Sequence, residues 1–571
     1  MNSMSPAADA PEQSLSVVHA DPLDEQGPTL TIPAFLRQVV DRWSDREAVV
    51  ADTGTLRWSY RDLWHSSLDI AAALSARGVG KGSRVGVLMT NSPEFIASVF
   101  GIAMAGGVVV AFNTFATPHE LDALIKAADI EILLFEQQIA RRDFARVLVE
   151  LEPGIGEAEP GGLVSQRFPF LRLAVVITRE GQSLCGGLLD WSDFLRGGEQ
   201  IPRALIDARM ASLSPADTAI LFFSSGSTGV PKGILHNQRA VALQWRSWPA
   251  AMGFDGVLRV WTANGFFWSG NFAMAIGSAL STGGTLVLQS IFDAPKALEL
   301  MGRERVNTPL AMPHQWGRIA EVPGFRDMDL SHLHYLDGTF WGLDNPTLPT
   351  TFRQPQAFGC TETLTINTTT CFDEAGKTRR EGHGLPMQGN TLKIVDPLSG
   401  ATLPRGERGE IAVKGPTLMM GYLGKTPDQC FDDEGFFHTG DGGFVDDSGW
   451  LFWEGRLTDI IKTGGANVSP QEVDEVIVTH PAVKATQTVG LPHDNLGEMV
   501  VSCLVLHEGM DIEPEAFRHF LKERLASYKV PREILVLGDE ELALTASGNK
   551  IKAAAVREIA AARLAMQTEA R

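Results

Sequence analysis

Ala219-Ile220-Leu221-Phe222-Phe223-Ser224-Ser225-Gly226-Ser227-Thr228-Gly229-Val230-Pro231-Lys232-Gly233 is the stretch on which the reading of this 571-residue chain turns. Its first five residues are apolar and read as a buried strand. The decapeptide that follows has the makings of a phosphate loop. Small residues let backbone amides approach a polyphosphate, hydroxyls donate hydrogen bonds, and Lys232 adds a positive charge. A Walker-type loop requires Gly-x-x-x-x-Gly-Lys-Ser/Thr. Here Lys232 instead follows Pro231 and precedes Gly233. Gly424-Lys425-Thr426 has the Walker ending, but Met419 occupies the place of the first glycine. The strand leading in and the Pro-Lys-Gly ending argue against a flexible Ser/Gly linker.

Upstream, Arg84–Leu88 reads as a strand, Asn91-Ser92-Pro93-Glu94 as a capping box opening a helix, and Val108-Val109-Val110 as a buried strand after the Gly106-Gly107 stop. Phe95 to Phe112 carries no charge over 18 residues, the lower edge of membrane-spanning length. The cap and the glycine pair divide it into helix and strand instead. Thr117-Pro118-His119-Glu120 caps a further helix to Ala128, and Ile130–Phe135 is the next strand. Such alternation predicts parallel sheets covered by helices. A weak repeat suggests two of them. Phe95 and Phe272 each begin a helix that reaches a glycine pair (Gly106-Gly107, Gly283-Gly284) at the same spacing, followed by a strand. Chance spacing of glycine pairs is the other explanation. Beyond about residue 385 the texture changes to hairpins, with an Asp447-Ser448-Gly449 turn, and beyond Ile460 to a small domain of short helices and strands.

Composition narrows the function. The net charge of −20 and the absence of a basic stripe argue against nucleic acid. Five scattered cysteines, none at metal-ligand or redox spacing, fit a reducing cytoplasm. Residues 1–28, rich in Pro, Ala, Asp and Ser, read as a mobile leader rather than a signal peptide. No transmembrane span is expected, and a homodimer is left open.

From about Thr29 to about Arg557 the chain resembles the adenylate-forming enzymes: acyl-CoA synthetases, peptide-synthetase adenylation domains and luciferases. The resemblance implies a large N-terminal domain, 29–457, of two α/β subdomains with parallel sheets plus a distorted β-barrel. It also implies a small mobile α+β C-terminal domain, 458–571. Ser224, Ser225, Gly226, Ser227, Thr228, Gly229 and Lys232 would hold phosphates, with Thr228 and Lys232 also assisting catalysis. Phe358-Gly359-Cys360-Thr361-Glu362 is similar to the family's aromatic-Gly-x-Thr-Glu motif. It implies a ring against adenine, Thr361 on phosphate and Glu362 on Mg²⁺, a cation that wants oxygen ligands. Gly338 and Thr339 would line the adenine. Asp441, within Thr439-Gly440-Asp441, would accept the ribose hydroxyls, with Arg456 on the same nucleotide. Thr458 falls at the family's hinge, where Asp or Lys is more usual. Gly464, Gly465 and Ala466 would line the pantetheine arm of coenzyme A. Lys550 is matched to the catalytic lysine, though Asn549 intervenes between it and Gly548; Lys552 is the reserve.

His236, Trp268, Asn271 and Phe272 are the expected acyl-pocket residues, with no Lys or Arg among the Phe266–Phe272 segment to hold a second carboxylate. The resemblance therefore implies ATP, Mg²⁺ and coenzyme A as cofactors and a hydrophobic carboxylic acid as substrate. Two alternatives stay open at this point: an amine or carrier-protein acceptor, and a non-catalytic nucleotide-binding regulator.

Overall fold

The computed structural model describes residues 15–52, 55–178, 186–224, 232–372, 381–457, 461–463, 466–468, 470–493, 496–525, 529–538, 541 and 553–569. The chain forms two compact units. One comprises His19–Thr391 and Val413–Phe437; the other comprises Met1–Val18, Leu392–Ala412 and His438–Arg571.

The first unit is built on two sheets. In the larger, Leu189–Asp190, Leu173–Ile177, Ile132–Glu136, Arg84–Leu88, Val108–Ala111 and Thr218–Ser224 lie side by side and parallel. Lys232–Asn237 and then Gly421–Tyr422 extend it antiparallel. In the second, Thr308–Leu310, Arg259–Thr262, Thr285–Leu288 and Glu47–Ala51 are parallel, and Arg57–Ser59 closes the edge antiparallel. The repeat read from the two Gly pairs thus corresponds to two separate sheets. Helix Pro93–Ala105 feeds Val108–Ala111 in one, and helix Ser269–Ser281 feeds Thr285–Leu288 in the other. Gly106 ends the first helix at φ 90° and Gly283 follows the second at φ 63°, conformations that favour glycine. Both helices are almost wholly buried, which explains the charge-free run from Phe95 to Phe112. Among the described residues no helix is long and apolar enough to cross a membrane.

One local expectation is corrected. Ser92, not Asn91, caps the Pro93–Ala105 helix, its side chain accepting from Phe95 N. Asn91 turns its amide to the Asn264 carbonyl instead, tying the two sheets' loops together. The box at Thr117 and Glu120 forms as expected. Within the stretch expected to be a mobile leader, residues 15–28 take defined positions. Val17–His19 is an edge strand. The Asp24 carboxylate accepts from Gly27 N and pairs with Arg246.

The second unit carries a five-stranded sheet in the order Val17–His19, Thr391–Val395, Gly409–Lys414, Phe437–Val445, Leu451–Arg456. Its order is open among the described residues, with Val17–His19 and Leu451–Arg456 at the two edges, so the expected distorted barrel is not closed. The expected hairpin is present: Asp446 Oδ1 accepts from Ser448 N and Trp450 N across the turn. Toward the C-terminus, Val483–His493 and Gly497–Leu506 form a long antiparallel pair. Glu533–Val536 lies parallel to the latter, and helices Pro470–Ile477, Pro514–Lys522 and Ala553–Glu569 complete an α+β arrangement.

Candidate active site

The two ends of the phosphate-loop candidate are adjacent. Ser224 ends one strand of the larger sheet and Lys232 begins the next, as cross-strand partners. Residues 225–231, including Ser225, Gly226, Ser227, Thr228 and Gly229, lie outside the described residues. The Gly421–Tyr422 strand pairs on the far side, with Ile234 opposite Tyr422 and Leu423 N donating to Gly233 O. Lys232 is exposed, and its ammonium lies 5.5 Å from the centroid of the Tyr422 ring.

Across this ladder sits the Phe358–Glu362 segment. Phe358 is buried in a short strand paired with Thr368–Thr369. Gly359 is packed so tightly that a Cβ would meet the Thr365 carbonyl oxygen at 1.6 Å. Thr361–Thr363 is one turn of 3₁₀ helix, followed by Leu364 at φ 52° and Thr365 at φ 94°. Two consecutive non-glycine residues in the left-handed region are strained, and the surroundings must hold them. Three contacts do so from outside the turn: His236 Nε2 lies 2.8 Å from the Thr361 carbonyl oxygen, Met419 N donates to Glu362 O, and the Tyr422 hydroxyl donates to Glu362 Oε1 at 2.8 Å. The Ser269 hydroxyl donates to the Thr361 hydroxyl at 3.4 Å.

Burial fixes the protonation states around this turn. His236 is fully buried, which pushes it down to about 4 and keeps it neutral. A carbonyl can only accept, so Nε2 carries the hydrogen, and Nδ1 has no partner among the described residues. Burial, reinforced by the neighbouring Glu362 carboxylate, raises the Tyr422 hydroxyl well above its ordinary value, so it remains a donor. The Glu362 carboxylate beside the Thr361 hydroxyl is a hard, oxygen-only donor set. The described residues contain no group of three His, Cys, Asp or Glu that could enclose a metal. One carboxylate, a hydroxyl and ligand oxygens suit Mg²⁺, which keeps waters and substrate phosphates in its shell.

Of the expected acyl-pocket residues, Trp268 is half-buried and packs against Phe267 and Phe115, with ring centroids 4.7 and 6.2 Å away. Phe115 is 64% exposed. Phe272 is fully buried between Phe222 and Trp245. Asn271 is buried with its amide engaged: its oxygen accepts from Thr262 Oγ1 and its nitrogen donates to Asn264 O. Gly338 is buried against Leu348, while Thr339 is exposed. The turn they occupy is organised by buried Asp337, which accepts from Phe340 N and Gln354 N.

In the second unit, Asp441 and Arg456 are cross-strand partners, Arg456 Nε lying 3.1 Å from Asp441 Oδ1. Thr439 braces the pair: its hydroxyl accepts from Asp441 N, and its carbonyl accepts from Arg456 Nη1. Gly440 takes φ 71°, and Glu410 fixes it by accepting from its N–H while its other oxygen meets His438 Nδ1. Thr463 and Ala466 are cross-strand partners. Thr458, Gly464, Gly465, Lys550 and Lys552 lie outside the described residues.

Tyr422, Glu410 and Asp337 were not singled out from sequence. Tyr422 left a faint signal, since it adjoins the Gly424-Lys425-Thr426 triplet that fails as a Walker ending. An isolated acid in a strand, like Glu410, or before a Gly-Thr pair, like Asp337, leaves none.

Comparison with known proteins adds the following. The AMP-binding enzyme family model matches residues 36–423, and the AMP-binding enzyme C-terminal domain model matches 472–549. The putative acyl-CoA synthetase YngI of Bacillus subtilis (strain 168) is 29% identical over 92% of this chain and 96% of its own length. A 3-[(3aS,4S,7aS)-7a-methyl-1,5-dioxo-octahydro-1H-inden-4-yl]propanoyl:CoA ligase of Rhodococcus jostii (strain RHA1) is 28% identical over 88% of this chain and 94% of its own. The crystal structure of ATP-bound MatB from Rhodopseudomonas palustris shares the fold, with a TM-score of 0.75 at 23% identity over 93% of this chain and 99% of that one.

Proposed function

We propose a substrate class and a division of labour for a chain that belongs to the AMP-binding enzyme family and is a carboxylic acid–CoA ligase of the AMP-forming type. The substrate is a hydrophobic monocarboxylic acid: fatty, alicyclic, aryl or steroid-like. Trp268, Phe267 and Phe115 support this as an aromatic cluster with one exposed edge, in a segment without Lys or Arg. The bicyclic propanoate named for the Rhodococcus relative has the same character.

The observation that carries the reading is the bridge from the phosphate loop's exit to the Thr361–Glu362 turn. Lys232 faces the Tyr422 ring whose hydroxyl holds Glu362. In the first half-reaction a substrate carboxylate oxygen attacks the α-phosphorus of ATP, and the bond to the β-phosphate oxygen breaks. The products are acyl-adenylate and pyrophosphate. Lys232 and the loop amides hold the β- and γ-phosphates, the Thr361 hydroxyl donates to a phosphate oxygen, and Lys550 steadies the charge gathering at the α-phosphate. Mg²⁺ bound through Glu362 would neutralise part of the polyphosphate charge. Asp441 accepts the ribose hydroxyls, with Arg456 pairing with its carboxylate and aiming it. In the second half-reaction the CoA thiol, losing its proton, attacks the acyl carbonyl and expels AMP. Rotation of residues 458–571 about Thr458 exchanges Lys550 for the Gly464–Ala466 loop, separating two incompatible contact sets. We place the reaction in the cytoplasm.

A panel of carboxylic acids with ATP, Mg²⁺ and CoA, read by mass spectrometry, tests the proposal. Acyl-CoA with matching AMP and pyrophosphate is expected for apolar acids. Turnover confined to dicarboxylic or amino acids refutes the substrate class. AMP release that is indifferent to CoA but rises with an amine identifies the other acceptor.

A further inference from the structure

We propose that Lys425 is a second cation for the nucleotide's polyphosphate, and that Tyr422 is the positioning residue that sets Lys425 and Lys232 against the Glu362 carboxylate. The inference rests on the ATP-dependent reading above. Gly424-Lys425-Thr426 fails as a Walker motif in sequence, yet the fold brings its lysine to the same ring as Lys232. Lys425 N donates to Tyr422 O, closing a four-residue turn with Gly424 at φ 77°. Glycine tolerates that conformation at the third turn position without strain. The turn folds Lys425 back so that its ammonium lies 5.6 Å from the centroid of the Tyr422 ring. Lys232 reaches the same ring at 5.5 Å from the neighbouring strand. The register brings Gly424 to the level of Lys232, because Ile234 faces Tyr422 and Leu423 N bonds to Gly233 O.

The charge balance of this cluster points to an anion. Two exposed ammonium groups share one aromatic ring, and neither forms an ion pair among the described residues. Two exposed cations held against one ring offer a multivalent anion its counter-charge. The Glu362 carboxylate is engaged through the Tyr422 hydroxyl. One ring therefore ties two phosphate-binding cations to the carboxylate that suits Mg²⁺. Phosphate on this cluster could come from ATP or from CoA. The link to Lys232 and Glu362 selects the β- and γ-phosphates of ATP, which leave as pyrophosphate.

The test compares binding of pyrophosphate, AMP and CoA by calorimetry, with Mg²⁺ and with EDTA, for wild type, Lys425→Met, Lys425→Arg and Tyr422→Phe. Lys425→Met is expected to weaken pyrophosphate and ATP on the order of tenfold, the loss of one charge-assisted contact, and to leave AMP and CoA unchanged. Lys425→Arg restores most of the loss. Tyr422→Phe is expected to raise the Mg²⁺ concentration needed for half-maximal pyrophosphate binding and to spare AMP, a separation that a general packing defect does not produce. Equal affinity of wild type and Lys425→Met for pyrophosphate overturns the inference, as does a loss confined to CoA. The underlying reading is checked separately in wild type, by carboxylate-dependent exchange of labelled pyrophosphate into ATP. Its absence there refutes the ATP-dependent reading itself, whatever the variants do.

Discussion

Gly359→Ala should cripple adenylation more than it destabilises the protein. A Cβ at Gly359 would stand 1.6 Å from the Thr365 carbonyl oxygen and 2.6 Å from its carbon, both backbone atoms. No rotamer change can relieve such a contact. Reaching ordinary van der Waals separation requires Gly359 and Thr365 to part by roughly 1.5–2 Å, and Thr361 and Glu362 lie between them. Overpacking of this kind costs about 1–3 kcal/mol of stability. A displacement near 1 Å at a reacting centre costs on the order of a hundredfold in rate, so carboxylate-dependent pyrophosphate release should fall by that factor or more. Denaturant midpoints and pyrophosphate release are to be measured together, with Gly317→Ala in helix Pro313–Ala320 as the control. A Cβ there meets nothing within 4 Å, and exchanging a helical glycine for alanine should stabilise by up to about 1 kcal/mol. Wild-type activity and midpoint in Gly359→Ala would refute the argument that a crowded, strained turn holds the Thr361–Glu362 pair.

Asp474 provides a pH test in the second unit. Burial lifts its carboxyl from 3.8 to about 6, although Thr488 and Thr486 donate to Oδ1. The folded state therefore binds the proton more tightly than the unfolded state, and stability falls as pH rises from about 4 to 6, by about 3 kcal/mol in total. Asp474→Asn should flatten that part of the stability–pH profile of denaturation, and an unchanged slope would count against it. For the ribose contact, Asp441→Asn should weaken ATP about tenfold or more yet bind 2′,3′-dideoxy-ATP as wild type does. Equal losses with both nucleotides would remove Asp441 from that role. Lys550→Ala should abolish acyl-adenylate formation while sparing thioester formation from supplied acyl-adenylate, and Gly465→Trp should do the reverse. Loss of both half-reactions in either variant contradicts the two-conformation scheme.

Much of the fold was legible because it rests on local regularities. The Thr117–Glu120 box satisfies orphan amides within one turn of chain, and the glycine at 106 is needed where the backbone enters the left-handed region. Such signals survive in sequence because their partners are three or four residues apart. The cap at Asn91 and Ser92 shows where locality fails. Both residues can cap a helix, and the choice was made by a carbonyl 173 positions away, at Asn264. Phe272 illustrates the same limit in a side chain: an aromatic in this segment reads alike whatever it packs against, and only the fold sets it between Phe222 and Trp245.

By itself the sequence determined the alternation of strands and helices, the two glycine-punctuated repeats, and the motifs on which the proposed phosphate, adenine and ribose contacts rest. Those features depend on short-range hydrogen bonding, backbone freedom and residue chemistry. Only the tertiary structure decided that Tyr422 joins Lys232, Lys425 and Glu362, that His236 is buried neutral against Thr361, and that the expected barrel stays open among the described residues. Each of these depends on which distant strands pair and in what register. Burial in a close-packed interior sets that register cooperatively, so no single segment carries it.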